Sequence, residues 1–266
     1  MKHPLTVSLL AASLGVCSVA HGVLVRIDIE NLLPANSYAH SPVFLAAHDG
    51  TFDLWDAGTT AGAEIEAIAE LGDSGPATTL FNGSSAGMNG GLATTVAASS
   101  GGFGPGIYLP GAMGSVTLDL DPVMNRYLSF GAMVVPSNDA FIGNDDPMAI
   151  ELFDSMGNFS FTSLTVSVGQ VWDAGTEVDA PMGDGAAFIN GHTATNSDPE
   201  GGMISLDPNL DAYLGSDTPA GYTVSVLPSG SEGLVRFNAV VVPEPRTYAA
   251  LAGLLALGLV GWRRRR

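Results

Sequence analysis

Residues 127–139 read Tyr127-Leu128-Ser129-Phe130-Gly131-Ala132-Met133-Val134-Val135-Pro136-Ser137-Asn138-Asp139. The stretch Tyr127 to Val135 is a long apolar run of strand length, and Pro136 bounds it. The run therefore predicts a strand that leaves its sheet at Pro136 and delivers a carboxylate, Asp139, into the loop beyond.

Working outward, Val23 to Ile29 alternates through Val23, Val25, Ile27 and Ile29, the period of a half-buried strand. Val116, Leu118 and Leu120 alternate in the same way with Thr117 and Asp119. Further strands are predicted over Pro42 to Ala47, Phe159 to Val168 (irregular at Thr162-Ser163), Thr223 to Leu227 and Leu234 to Val242. One segment has helical spacing. Ala61 to Leu71 places Ile65, Ile68 and Leu71 near one face, and Gly72 is positioned to stop it. Ser84 to Gly106 is rich in Gly, Ser and Ala and reads as a long loop or flexible insertion. Short strands between Gly/Pro turns predict an all-β fold, an antiparallel β-sandwich with one short helix and no break into two domains.

The chain has 266 residues, with 27 acids against 9 Lys or Arg, a net charge of −18. That balance excludes a phosphate-neutralising surface and therefore nucleic acid. A hydrophobic content of 46% excludes a disordered acidic tail, and a single cysteine excludes a disulfide scaffold. The two ends read as addresses. Residues 1–20 carry a positive start at Lys2 and His3, an apolar stretch from Leu5 to Val16, and small residues Ser18-Val19-Ala20: a secretory signal peptide. Cleavage after Ala20 would remove Cys17 and with it all thiol chemistry. Residues 241–266 carry Val242-Pro243-Glu244-Pro245, an apolar run from Tyr248 to Trp262, and the cluster Arg263, Arg264, Arg265 and Arg266. The run is shorter than the roughly 20 residues that span a bilayer comfortably, but arginines that snorkel at its end allow a marginal transmembrane helix. The basic cluster favours the cytoplasmic side.

The order Pro-Glu-Pro, apolar helix, basic cluster resembles the PEP-CTERM sorting signal of Gram-negative bacteria. The resemblance implies recognition by an exosortase, transient anchoring in the inner membrane, removal of the tail, and delivery to the cell surface or extracellular matrix. The segment between the addresses, residues 21–240, is the domain proper. Over residues 21–242 the 26 acids face only Arg26, Arg126 and Arg236, a net −23. Such a domain repels itself unless cations screen it. Carboxylates are what hard divalent cations bind, so a cation site and a merely solubilising surface both remain open.

Two loops carry the strongest chemical candidates. One is Pro136-Ser137-Asn138-Asp139. The other is Trp172-Asp173-Ala174-Gly175-Thr176-Glu177, in which Gly175 lets the chain curl between two acids. Loops of a sandwich cluster at its ends, so Asp139, Asp173 and Glu177 are placed to meet around one cation. A short echo, Leu54-Trp55-Asp56-Ala57-Gly58-Thr59 against Val171-Trp172-Asp173-Ala174-Gly175-Thr176, reads as a shared turn type or chance. Asp184, Asp198 and Glu200 are candidates for a weaker cation site. His48-Asp49 has no nucleophile elbow or zinc-binding helix motif beside it, and Asp145, Asp146 and Glu151 read as turn acids. Gly101 to Gly106 lacks the lysine of a phosphate loop.

Ser129-Phe130, Met133-Val134-Val135-Pro136-Ser137-Asn138-Asp139, the Trp172 loop and Asp198-Pro199-Glu200-Gly201-Gly202 resemble, in that order, the spondin domain. Ser41-Pro42-Val43, His48 and Glu66-Ala67-Ile68-Ala69-Glu70 extend the likeness. It covers roughly residues 23 to 227. The resemblance implies a C2-like antiparallel sandwich of eight strands with one Ca²⁺, held at the positions of Asp139, Asp173 and Glu177. Two departures stand out. Asn138 replaces a second proline, which is expected to loosen the first loop. Glu177 replaces Asp and lengthens one ligand arm by a methylene. The expected function is a non-catalytic, calcium-binding adhesion or extracellular-matrix module whose partners are extracellular polysaccharide or matrix proteins. The alternatives are a polysaccharide hydrolase using the loop carboxylates and a passive surface protein.

Overall fold

The computed structural model describes residues 22–180, 185–192, 198–206 and 208–243. The expected signal peptide, the part of the expected sorting motif beyond Pro243, the apolar C-terminal run and Asp184 lie outside the described residues. Among the described residues, no helix is long and apolar enough to cross a membrane.

In chain order the strands are β1 (Val23–Asn31), β2 (Ala39–His40), β3 (Val43–His48), β4 (Leu92–Val96), β5 (Ser100–Phe103), β6 (Ile107–Leu120), β7 (Tyr127–Val135), β8 (Ala140–Gly143), β9 (Ser163–Ser167), β10 (Trp172–Asp173), β11 (Ser205–Leu206) and β12 (Gly233–Val241). Helices α1 (Ala63–Leu71), α2 (Gly75–Gly83) and α3 (Ser85–Met88) lie between β3 and β4. All pairing is antiparallel. One sheet runs β9-β12-β1-β6-β5 and the other β4-β3-β7-β8-β10-β11. β2 joins them at a corner, because His40 pairs with Tyr108 of β6 and with Val134 of β7.

The alternation in β1 buries Val25, Ile27 and Ile29 on one face, as the period of two requires. That face meets the inner face of the second sheet; Phe130 of β7 lies 4.9 Å, centroid to centroid, from Phe237 of β12. The outer face of the second sheet is also covered. Ile65 and Ile68 of α1 and Phe81 of α2 pack there with Phe44, Trp55 and Phe141. Burial on both faces explains why β7 is apolar almost throughout rather than alternating.

The sandwich is as expected, with differences in detail. Among the described residues, three α-helices stand in place of the expected single short one. α1 ends at Gly72 as read, with Gly72 N–H and Asp73 N–H returning to Ile68 O and Ala67 O, but Leu71 is exposed. The stretch 84–106 is not a flexible loop: it holds α3, β4 and β5. Its small residues serve close packing, since a Cβ on Gly87 would lie 2.2 Å from Phe81 O. Thr223 to Leu227 forms no strand. Thr223 bridges Asp217, and Ser225 and Val226 donate their N–H groups to Asn36 O instead of to a neighbouring strand. β9 begins only at Ser163, because Ser160 N–H is engaged by Leu152 O and Phe159 is paired with Phe153.

Candidate functional site

The first loop joins β7 to β8 and is tied to its own strand. Ser137 Oγ donates to Val134 O (2.5 Å) and accepts from Ala140 N–H (3.2 Å). Asn138 is fully buried. Its Oδ1 accepts from Ala180 N–H (3.2 Å) and from the Tyr213 hydroxyl (2.5 Å), while its own N–H donates to that hydroxyl oxygen (3.1 Å). The exchange of proline for Asn138 therefore anchors the loop instead of loosening it. The Tyr213 hydroxyl also lies 2.9 Å from Asp179 Oδ1. Burial, and then the Asp179 charge, raise the phenol well above its ordinary value, so it remains a donor.

Asp139 connects the two loops. It is buried, and its Oδ2 accepts from Thr176 N–H (2.8 Å), Glu177 N–H (3.1 Å) and Thr176 Oγ (3.2 Å). Burial raises its pKa in spite of those donors. Asp173, at the end of β10, is half-buried and turns the second loop by accepting Gly175 N–H on Oδ1 (2.6 Å). Gly175 is required on two counts: φ is +66°, and a Cβ there would lie 2.8 Å from Met203 N. Burial and then the Asp139 charge push Asp173 up to about 6, with Asp179 adding to the effect.

Asp139, Asp173 and Asp179 thus share one electrostatic neighbourhood. Asp179 carried no signal of its own in the sequence. Glu177 is on the same turn and is buried, and its charge acts on Glu70 of α1, which also bonds the Thr176 side chain. The Glu66–Glu70 segment is therefore the helical buttress of the second loop. Among the described residues, no arginine pairs with these acids. Arg26 pairs with Asp28, Arg126 with Glu151 and Arg236 with Glu30. Among the described residues, no three His, Cys, Asp or Glu side chains converge by themselves at metal-binding spacing.

The other candidates resolve into local roles. Trp55 and Trp172 of the two echoed turns meet edge to face at 4.8 Å. Both turns have a left-handed glycine, Gly58 and Gly175, and both bond to the 202–204 segment, so the echo is a shared turn. Asp145 accepts Ala57 N–H, and Asp146 accepts Met148 N–H. Asp198 and Glu200 hold the second loop through their main chains, at Val178 N–H and Thr176 O. His48 lies 3.0 Å from Ser129 Oγ, but Gly50 N–H donates to its Nδ1. Nε2 therefore carries the proton, and this ring is in the wrong tautomer to activate the serine.

A comparison with family models decides the assignment: the Spondin_N model matches residues 31–200. The chain belongs to the spondin N-terminal domain family. No curated protein matches it. The matched span includes both carboxylate loops, α1 and the whole second sheet except β11. Spondin domains are extracellular, non-enzymatic modules of matrix or adhesion type, and this is the class in which the chain stands.

Proposed function

We propose that this spondin domain is a non-catalytic, calcium-binding adhesion or matrix module of a Gram-negative bacterium. Residues 1–20 direct export, residues 21–240 form the module, and residues 241–266 are a PEP-CTERM signal. An exosortase recognises Val242-Pro243-Glu244-Pro245 while the terminal arginines hold the tail in the inner membrane. The released module works at the cell surface or in the extracellular matrix, on polysaccharide or matrix proteins.

One observation carries the metal reading: Asp139 and Asp173 are held within each other's field where two loops meet, with every described arginine engaged elsewhere. The donors are all oxygen, which suits a hard cation. Asp139 and Asp173 would hold it, Glu177 would reach it from the adjoining turn, and backbone carbonyls or water would complete the six to eight ligands Ca²⁺ takes. Bound Ca²⁺ would supply positive charge that cancels the carboxylate repulsion.

Differential scanning calorimetry of the full chain tests this. Ca²⁺ raises the melting temperature, chelator lowers it, and Asp173→Asn removes most of the difference. A wild-type chain indifferent to Ca²⁺ would refute the metal assignment. Loss of tail processing in a host lacking its exosortase tests the sorting route; unchanged processing rejects it.

A further inference from the structure

Among the described residues, β9 ends the first sheet and pairs on one side only, with β12. The bond from Ala239 N–H to Thr162 O sets the phase of that ladder. By alternation, Leu164 and Val166 direct their main-chain groups at β12, while Ser163 and Thr165 direct theirs to the open side. The strand has no proline, lysine or other charge to guard that edge, and Ser163 and Thr165 are exposed.

A cavity of about 340 Å³ opens beside this edge, lined by Phe130, Ile150, Leu164, Val166, Trp172 and Leu206 among others. It is the mouth of the sandwich interior between β9 and the edge of the second sheet. A second hollow of about 320 Å³ adjoins it, sharing Ala149, Ile150 and Leu164. The hollows lie where the chain leading into β9 parts from residues 149–152, beyond the bonds that Ser160 N–H (2.9 Å) and Phe161 N–H (3.4 Å) give to Leu152 O. The slot has the form an added strand needs. Backbone donors and acceptors line one side, and room for every second side chain lies on the inner face.

Charge selects the occupant. Asp145 lines the cavity, Asp146 is exposed next to it, and the exported chain carries −23. A second copy would bring the same charge and be repelled. We propose that the open edge of β9 takes up an extended, basic-flanked segment of a partner protein as an antiparallel strand, with an apolar side chain of that segment seated over Phe130 and Trp172. The site needs no metal, so it is tested in chelator, and its failure is separable from that of the calcium site.

The probe is a fluorescein-labelled nonapeptide, Lys-Lys-Thr-Phe-Thr-Val-Thr-Lys-Lys, titrated against the full chain by fluorescence anisotropy in EDTA. Residues opposite Ser163 and Thr165 in an antiparallel pair turn their side chains outward, so the probe's threonines make the bonds and its Phe and Val enter the slot. N-methylation of the three threonine amides is expected to weaken binding at least tenfold. N-methylation at Phe and Val is expected to leave it within about twofold. Replacing the lysines by glutamate abolishes binding, and Thr165→Pro in the protein repeats the loss. The N-methyl pair keeps the test on unaltered protein should that variant fail to fold. No saturation up to about 1 mM peptide, equal binding of both methylated probes, loss confined to the Phe/Val set, or equal binding of the glutamate probe each overturns the proposal.

Discussion

Acid should weaken this domain through two histidines that burial holds neutral. His40 and His48 are fully buried. His48 accepts Gly50 N–H on Nδ1, so a second ring proton would point at an existing donor. His40 donates from Nδ1 to Ser41 O (2.9 Å), and its Nε2 has no hydrogen-bond partner among the described residues. A proton there would be a buried donor without an acceptor. Burial accordingly holds both rings at about 4 against an ordinary 6.5; the Ser41 carbonyl and the Asp49 charge only partly oppose it. The unfolded chain takes up its protons near 6.5, while the folded chain refuses them until about 4. The contribution is therefore complete above pH 6.5 and is lost as pH falls toward 4. At pH 5 linkage gives a loss of about 2 kcal/mol per histidine, large against total stabilities of about 5–15 kcal/mol. Carboxylate repulsion relaxes over the same range with the opposite sign, so the quantity to measure is a difference between variants. Urea unfolding of wild type and His48→Gln at pH 8 and pH 5 isolates it. The variant is less stable at pH 8, where Ser129 loses its imidazole donor, and the gap narrows by about 2 kcal/mol at pH 5. A gap that is the same at both pH values would refute the reasoning.

Three further outcomes follow from the loops. Asp173→Asn keeps an oxygen to accept Gly175 N–H while removing one of two opposed charges, so at pH 7.5 in EDTA its melting temperature should exceed wild type by about 2–4 °C, the equivalent of about 1 kcal/mol. A value no higher than wild type would remove the premise of repulsion. Asn138→Pro, which restores the proline expected in a spondin loop, deletes the N–H given to Tyr213 and the acceptor used by Ala180 and Tyr213; a stability loss of about 2–4 kcal/mol is expected, and an unchanged urea midpoint contradicts the anchoring role. Gly175→Ala must carry a side chain at φ +66° against the Met203 backbone, so a cost of about 3 kcal/mol is expected, with wild-type stability the contrary result.

The parts legible in the sequence were those whose signal is local. β1 follows from strict alternation, β7 from an apolar run closed by Pro136, and the end of α1 from Gly72. Asp139 and Asp173 could be singled out as candidates because each stands in a short motif, Asp139 in the loop after β7 and Asp173 at the end of β10. The 84–106 stretch misled because small residues mark close packing as readily as they mark flexibility, and only contacts distant from the local pattern, such as the Phe81 carbonyl beneath Gly87, distinguish the two. Tyr213 and Asn138 lie 75 residues apart, and Asp179 and Tyr213 lie 34 apart, so nothing in either neighbourhood announces their bond. Glu70 presents only the solvent face of a helix until α1 is laid against Thr176.

The charge of −23 is not spread evenly, and its distribution bears on function more than its size. Arg26 and Arg236 sit on the paired strands β1 and β12, where Asp28 and Glu30 neutralise them; Arg126 at the start of β7 is held by Glu151. Positive charge is thus fixed along strands of the sandwich and at the far end of β7 from Asp139. The loops that close around Asp139 have none among the described residues, yet they are mounted on the sheet whose outer face α1 and α2 cover. Strands packed on both faces cannot easily yield, so Asp139 and Asp173 cannot relax their repulsion by drifting apart. A rigid platform that holds acids together without a counter-charge is costly unless a cation arrives from outside. The placement of the three arginines, more than the number of acids, is what turns an acidic surface into a candidate cation site.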